Sequence, residues 1–256
     1  MISFSKIGNY GRLGNQLFQY SMLFGLQNYL KKNNTNIDIL TTNINAEIYK
    51  YFKISNKIQY NSKPFVRYLE KKFTFNQEIL NFDYKNLNID FEGYYQTDKY
   101  WLHCEKELIT HLNFKNCIQE KFTNKSYSNT CSIHIRRGDY LNLPEYHTNL
   151  DLKYYNEAIK IIENKNINDF LIFSDDIDWC KNNFIGKKFK FSEKNNSGED
   201  LFLMSKCQYH IIANSSFSWW GSALSKNKIT VAPKNWFGPK ITHNTSDLYR
   251  KNWIII

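Results

Sequence analysis

Charge gathers abruptly in the stretch 132–140, Ser-Ile-His-Ile-Arg-Arg-Gly-Asp-Tyr. Cys131, Ile133 and Ile135 alternate with Ser132 and His134, the period of a strand with a buried face. Arg136, Arg137 and Asp139 follow where that strand ends, and the carboxyl ends of strands in an open α/β sheet are where ligands bind. A guanidinium never loses its charge and offers a planar fork to phosphate oxygens, so two of them here suit a diphosphate. A plain surface charge cluster fits the same residues, and the rest of the chain decides between the two.

Two further stretches carry chemistry. Gly11-Arg12-Leu13-Gly14-Asn15-Gln16-Leu17-Phe18-Gln19-Tyr20 lies at a first strand-to-helix turn, where glycines admit a close backbone approach and the helix amino terminus favours anions. It lacks the third glycine of a dinucleotide fingerprint, so alone it fits a packing turn equally well. Farther on, Glu199-Asp200-Leu-Phe-Leu-Met-Ser205 precedes Ile211-Ile-Ala-Asn214-Ser215-Ser216-Phe217-Ser218-Trp-Trp-Gly221. There a buried strand ends in Asn and Ser residues that open a helix, and free helix amides hold either a cap or phosphate oxygens. Glu199 and Asp200 suit a helix start, and a carboxylate can also accept the paired N–H donors of a guanine edge.

The elements that position these residues read clearly from residue 130 onward. Strands at 131–136, 169–174, 188–192, 209–213 and 228–232 alternate with helices near 150–164, 175–179, 199–206 and 216–226, the pattern of a parallel sheet with helices on both faces. The first 125 residues begin alike, with a strand at 2–6, a helix near 15–31 and a strand at 37–41. They then turn irregular, with one more strand expected at 91–95. The fold class is α/β, two Rossmann-like domains facing across a cleft, divided in the polar stretch 113–129 into domains 1–125 and 126–256.

A composition of 42% hydrophobic and 17% aromatic residues supports a packed core and argues against disorder. No apolar run is long enough to span a membrane, and the opening residues lack a secretory pattern, so the expectation is a soluble, cytoplasmic protein. The net charge of +10 is spread in lysine pairs without a dense basic tract, which argues against a nucleic-acid arm. It leaves open peripheral contact with an anionic inner membrane face. Five scattered cysteines with no C-x-x-C pair point to neither a disulfide framework nor a zinc site.

The three stretches in this order, with Ala232-Pro-Lys-Asn-Trp236-Phe after them, resemble the α-1,2-fucosyltransferases of glycosyltransferase family 11. The resemblance spans about residues 1–240, leaving 35–90 without a matching motif. It implies a GT-B fold and an inverting, metal-independent enzyme that moves L-fucose from GDP-fucose to the 2-hydroxyl of a terminal β-galactose on a glycan. By similarity to the wider fucosyltransferase group, Arg136 stabilises the leaving diphosphate, and His134 and Asp200 read guanine. Asn214, Ser215, Ser216 and Phe217 line the diphosphate and ribose site, while Arg12, Gly14 and Asn15 of the acceptor-side domain close over the donor. Arg137 ranks below Arg136, as an anchor of the loop through a carboxylate.

No cofactor beyond the donor and no metal is expected. Asp176-Ile-Asp178 spells the metal-binding Asp-x-Asp of other glycosyltransferases, but it opens a helix, where capping explains it more simply. The general base is open among Asp139, the first choice, and Glu145 and His147 in the next loop. The competing readings are a GDP-fucose transferase of another linkage, α-1,6 or protein O-linked, and an inactive nucleotide- or glycan-binding protein of the same fold. Oligomeric state is not legible.

Overall fold

The structure, a computed structural model, describes residues 1–40, 43, 45–54, 65–123 and 126–256. These divide into two compact units: 1–115 with 243–250, and 116–242 with 251–256.

In the first unit β1 (Ile2–Ser3), β2 (Ile39–Leu40), β3 (Phe65–Leu69) and β4 (Asn88–Glu92) form a parallel sheet in the order β2-β1-β4-β3. Helix α1 (Leu13–Lys32) follows β1, and α2 (Glu47–Tyr51) and α3 (Glu105–His111) pack on it. Most of α1 is buried, including Gln16, Gln19 and Ser21, so it shows no amphipathic stripe. Its buried amides brace the glycine-rich turn instead: Gln16 Oε1 accepts from the Ile48 amide at 3.0 Å, and Gln19 Nε2 donates to the carbonyls of Tyr10 and Gly93 at 3.2 and 3.0 Å. The segment 243–250 returns to this unit through Asp247, which takes Lys99 Nζ at 2.5 Å and the Phe75 amide at 2.9 Å, and through Arg250, which pairs with Asp98 at 3.1 Å and with Glu105.

In the second unit helix α4 (Asn116–Lys121) precedes β5 (Thr130–Ile135), α5 (Leu152–Glu163), β6 (Asp169–Ser174), α6 (Ile177–Asn183), β7 (Phe189–Phe191), α7 (Ser197–Lys206), β8 (Tyr209–Ile211), α8 (Ser216–Ala223), β9 (Ile229–Ala232) and β10 (Ile254–Ile255). The six parallel strands run β10-β9-β8-β5-β6-β7. Central β5 is buried along its whole length, and Ile133 pairs in register with Ile172 of β6 and Ile211 of β8. On one face Ile133, Tyr155, Ile159, Ile162 and Phe170 build the core. Helix α5 contributes Tyr154, Tyr155, Ala158, Ile159 and Ile162 at helical spacing.

Three expectations need adjustment. The division read at 125/126 touches residue 125, which lies outside the described residues; the described backbone divides at 115/116 instead, because α4 packs on α7, with Lys121 paired to Glu199 at 2.9 Å. The strand read at 37–41 is β2, with residue 41 outside the described residues. The strand read at 91–95 ends at Glu92, since Gly93 and Tyr95 adopt φ of 150° and 52°. Among the described residues no helix is long and apolar enough to cross a membrane. All five cysteines are free.

Candidate active site

The carboxyl end of β5 carries the charge cluster, and neighbouring strands decide what it faces. Parallel register sets Ile135 beside Ser174 of β6, so the residues that follow them, Arg136 and Asp175, emerge side by side. Arg136 Nη1 meets Asp175 Oδ2 at 2.8 Å, and its Nη2 meets Asp139 Oδ1 at 2.6 Å. Its guanidinium carbon lies 5.4 Å from the centre of the Tyr140 ring. Asp175 Oδ1 also accepts the Arg137 amide at 2.9 Å. The glycine of Arg-Arg-Gly-Asp leaves room for this pairing: a Cβ on Gly138 would stand 2.7 Å from Asp175 Oδ2 and push that carboxylate aside.

Arg137 turns the other way. Its Nε pairs with Asp176 Oδ2 at 3.0 Å, and its guanidinium carbon lies 4.0 Å from the Trp179 ring centre. The other oxygen of Asp176 accepts the Trp179 amide at 3.2 Å, capping α6. Both oxygens of this Asp are therefore engaged in holding Arg137 and a helix start. The two arginines share the site with three carboxylates, so the local formal charge is −1 rather than the +2 that the arginines alone would give.

His134 precedes the cluster on β5. Its Nδ1 lies 2.9 Å from Ser218 Oγ, and its ring sits 5.6 Å from that of Phe217. Burial, with Arg136 adding to it, pushes its pKa down to about 3, so the ring is neutral near pH 7 and presents one donor and one acceptor nitrogen. Ser218 stands on α8, whose cap is Ser215; Ser215 Oγ accepts the Phe217 amide at 3.3 Å. The first-turn amides of Ser216 and Ser218 have no carbonyl partner within the helix. Ser215, Ser216 and Phe217 are half-buried, and this helix start and His134 form one wall.

Asn214 departs from its expected role. It is buried, and its side-chain NH2 donates to the carbonyls of Thr148 and Trp236 at 3.0 and 2.8 Å. It fixes the turn before α8 from within rather than facing a ligand. Asp139 is exposed, and its Oδ1 meets Arg136 Nη2 at 2.6 Å. Asp200 lies on α7, which packs on α8. It accepts from Ser192 Oγ at 2.6 Å, and burial raises its pKa against the pull of Ser192 and Asn195. Glu199 serves the capping box with Asn196 and pairs with Lys121.

The remaining candidates belong to the first unit. The α1 amino end already has an anion, because the Leu13 amide donates to Glu47 Oε2 at 2.9 Å. Gly14 is buried, and Asn15 Oδ1 accepts from Gln96 Nε2 at 2.8 Å. Arg12 is exposed and forms no ion pair with a described residue. Sequence reasoning missed Asp175, Tyr140 and Ser218. The signal for Asp175 was present: an acidic residue directly after a strand that pairs in parallel with β5.

A parallel α/β unit with arginine at one strand end, a neutral histidine beside it and a helix start whose Ser216 and Ser218 amides lack intrahelical partners is arranged to bind an anionic nucleotide. The whole chain, residues 3–256, matches the model of glycosyl transferase family 11, and the protein belongs to that family of glycosyltransferases. An α-1,2-colitosyltransferase of Escherichia coli is 33% identical across 96% of each chain. A putative galactoside 2-α-L-fucosyltransferase of Caenorhabditis elegans, svh-11, is 25% identical over 97% of this chain and 77% of its own. The structure of the NodZ α-1,6-fucosyltransferase soaked with GDP-fucose superposes with a TM-score of 0.52 at 11% identity, over 88% of this chain and 92% of that one. That likeness establishes the GT-B fold.

Proposed function

We propose that the protein transfers L-fucose from GDP-fucose to the 2-hydroxyl of a terminal β-galactose, with inversion and without a metal ion. One observation carries the donor site: Arg136 at the end of β5 lies near neutral His134, which meets Ser218 at the start of α8, where the Ser216 and Ser218 amides lack intrahelical partners. Rupture of the sugar–phosphate bond leaves charge on GDP, and such preorganised donors stabilise it as it develops. In this reading Arg136 and the α8 amides take the diphosphate and His134 reads the base edge. Asp200 accepts from guanine N–H groups, and Ser215, Ser216 and Phe217 border the ribose. Asp139 and Asp175 hold Arg136 in place, and Arg137 anchors the loop. Arg12, exposed and without an ion pair among the described residues, is the first unit's candidate phosphate ligand.

Metal independence is supported by the engagement of both Asp176 oxygens, which leaves Asp176-Ile177-Asp178 without a free carboxylate pair. Membership of family 11 and the relative with a galactoside 2-fucosyltransferase name support the sugar and linkage. A second donor is favoured by one observation: the 33% identical relative is a colitosyltransferase. The test is an initial-rate assay in EDTA with β-galactosides as acceptors and GDP-fucose or GDP-linked colitose as donors, with product linkage read by NMR. Fucosyl transfer through an α-1,2 bond is expected. A requirement for manganese, a different linkage or exclusive use of the colitosyl donor would each overturn the corresponding part.

A further inference from the structure

The geometry assigns His147 as the general base that deprotonates the acceptor hydroxyl. This rests on the donor placement proposed above. Three side chains in 139–147 can take a proton, and two are occupied: Asp139 is held by Arg136 at 2.6 Å, and Glu145 is paired with Lys240. His147 is half-buried, and its ring nitrogens have no hydrogen-bond partner among the described residues. Its imidazole lies face to face on Tyr140, centroids 4.1 Å apart and planes 6° from parallel.

The same Tyr140 ring carries the Arg136 guanidinium at 5.4 Å. An in-line displacement needs its base and its leaving-group anchor roughly 10 Å apart, given about 3 Å for each hydrogen bond and about 3 Å for the forming bond. Contacts of 5.4 and 4.1 Å to the same Tyr140 ring set an upper limit of about 9.5 Å on the separation of the His147 ring centre from the Arg136 guanidinium carbon, a limit compatible with that span.

The loop is held in this pose. The backbone of His147 bridges to Phe237, the Gly238 amide donates to the Tyr146 carbonyl at 3.0 Å, and Thr148 Oγ1 donates to the Phe237 carbonyl at 2.8 Å. A Cβ on Gly238 would stand 2.5 Å from the Pro144 carbonyl oxygen, so only glycine lets the two segments approach. Tyr140 is fixed by its own hydroxyl, which donates to the Asn214 carbonyl at 3.1 Å.

Burial keeps the His147 imidazole below its ordinary pKa; Asp139 opposes this and Arg136 adds to it. The facing charge from the 237–240 segment is Lys240, neutralised by Glu145. A neutral imidazole at neutral pH is the form a base requires. In the step, a His147 ring nitrogen takes the hydroxyl proton while the hydroxyl oxygen bonds to the anomeric carbon. The bond from that carbon to the β-phosphate oxygen breaks, and its electron pair leaves on GDP beside Arg136. The imidazolium then returns its proton to solvent.

The experiment compares wild type, His147→Gln and His147→Phe in steady-state kinetics against both substrates from pH 5 to 9, with GDP affinity measured by calorimetry. His147→Phe keeps a ring on Tyr140 and removes the base. Both variants are expected to lose 10²–10³-fold in kcat, to bind GDP within twofold of wild type, and to lose the acid limb of the kcat/KM profile. A His147→Phe enzyme with near-normal turnover would show that the ring only packs and would overturn the assignment. So would an acid limb that persists in both variants. A wild type that releases no GDP from either donor sugar would overturn the donor reading itself, a result distinct from these.

Discussion

Replacing Asp175 with Asn should tighten GDP binding and slow turnover, opposite effects from one atom change. Asn keeps an acceptor for the Arg137 amide, now met at 2.9 Å, but removes the charge that faces Arg136 Nη1 at 2.8 Å. A guanidinium that bridges a carboxylate and a phosphate holds them roughly 6–7 Å apart. With an effective dielectric of about 40–80 the repulsion of a doubly charged diphosphate is then on the order of 1–3 kcal/mol. The Arg136 and Asp175 side chains are 20% and 26% exposed, so solvent screens the pair only in part, and even the low end of about 1 kcal/mol makes GDP bind about fivefold more tightly. Turnover should fall by roughly tenfold, because Arg136 keeps only the exposed Asp139 as its anchor. Calorimetric titration of GDP at low and at high salt, beside initial rates, reads both effects, and the gain in affinity should shrink as salt screens the site. Unchanged GDP affinity at both salts would refute the placement of the diphosphate on Arg136. Weaker binding would show that ordering of the arginine outweighs the charge.

Other outcomes follow from the same geometry. Arg136→Lys should lower kcat by about 10²–10³ in initial-rate assays, since an ammonium cannot meet two carboxylates and a phosphate with one planar fork. Asn214→Ala should destabilise the second unit by roughly 2–4 kcal/mol, because the buried Trp236 carbonyl and the half-buried Thr148 carbonyl lose their donors; urea titration followed by tryptophan fluorescence reads mainly that unit, which holds every tryptophan but Trp101. His210 is buried between Ser132 and Ser225 hydroxyls at 2.7 and 2.8 Å, and burial pushes its pKa down to about 3. The folded state thus binds this proton less readily than the unfolded chain, so stability is lost as pH falls from about 6.5 toward 3. At pH 5 the loss from this residue is roughly 2 kcal/mol. The urea midpoint should drop between pH 7 and pH 5, and by less in His210→Gln.

The second unit was legible because its inner strands are short apolar runs set between polar or charged residues, as in β6. Asp169-Phe-Leu-Ile-Phe-Ser174 is β6 to the residue. β3 escaped because Phe65, Val66 and Leu69 are exposed on an edge strand, so burial imposes no alternation. At the site, the residue types were legible and their pairing was not. Arg136 reads as a free phosphate ligand until β6 is known to lie beside β5 and to deliver Asp175. Asn214 reads as a polar loop residue until the carbonyls of Thr148 and Trp236, distant in sequence, converge on its NH2. Such contacts are set by tertiary register and leave no local pattern.

The return of 243–250 to the first unit has a consequence for biosynthesis. Met1 and Asn88 pair early in the chain at 2.6 Å, but Asp98, Lys99 and Glu105 find Arg250 and Asp247 only after residues 116–242 have been made. Domains are generally completed in the order of synthesis. Here both units are finished late, the first by 243–250 and the second by 251–256, and until then Asp98, half-buried in the finished protein, lacks its arginine. A ribosome-stalled chain ending at residue 242 should accordingly lack the last element of each unit and be cleaved by protease in both more readily than the full chain.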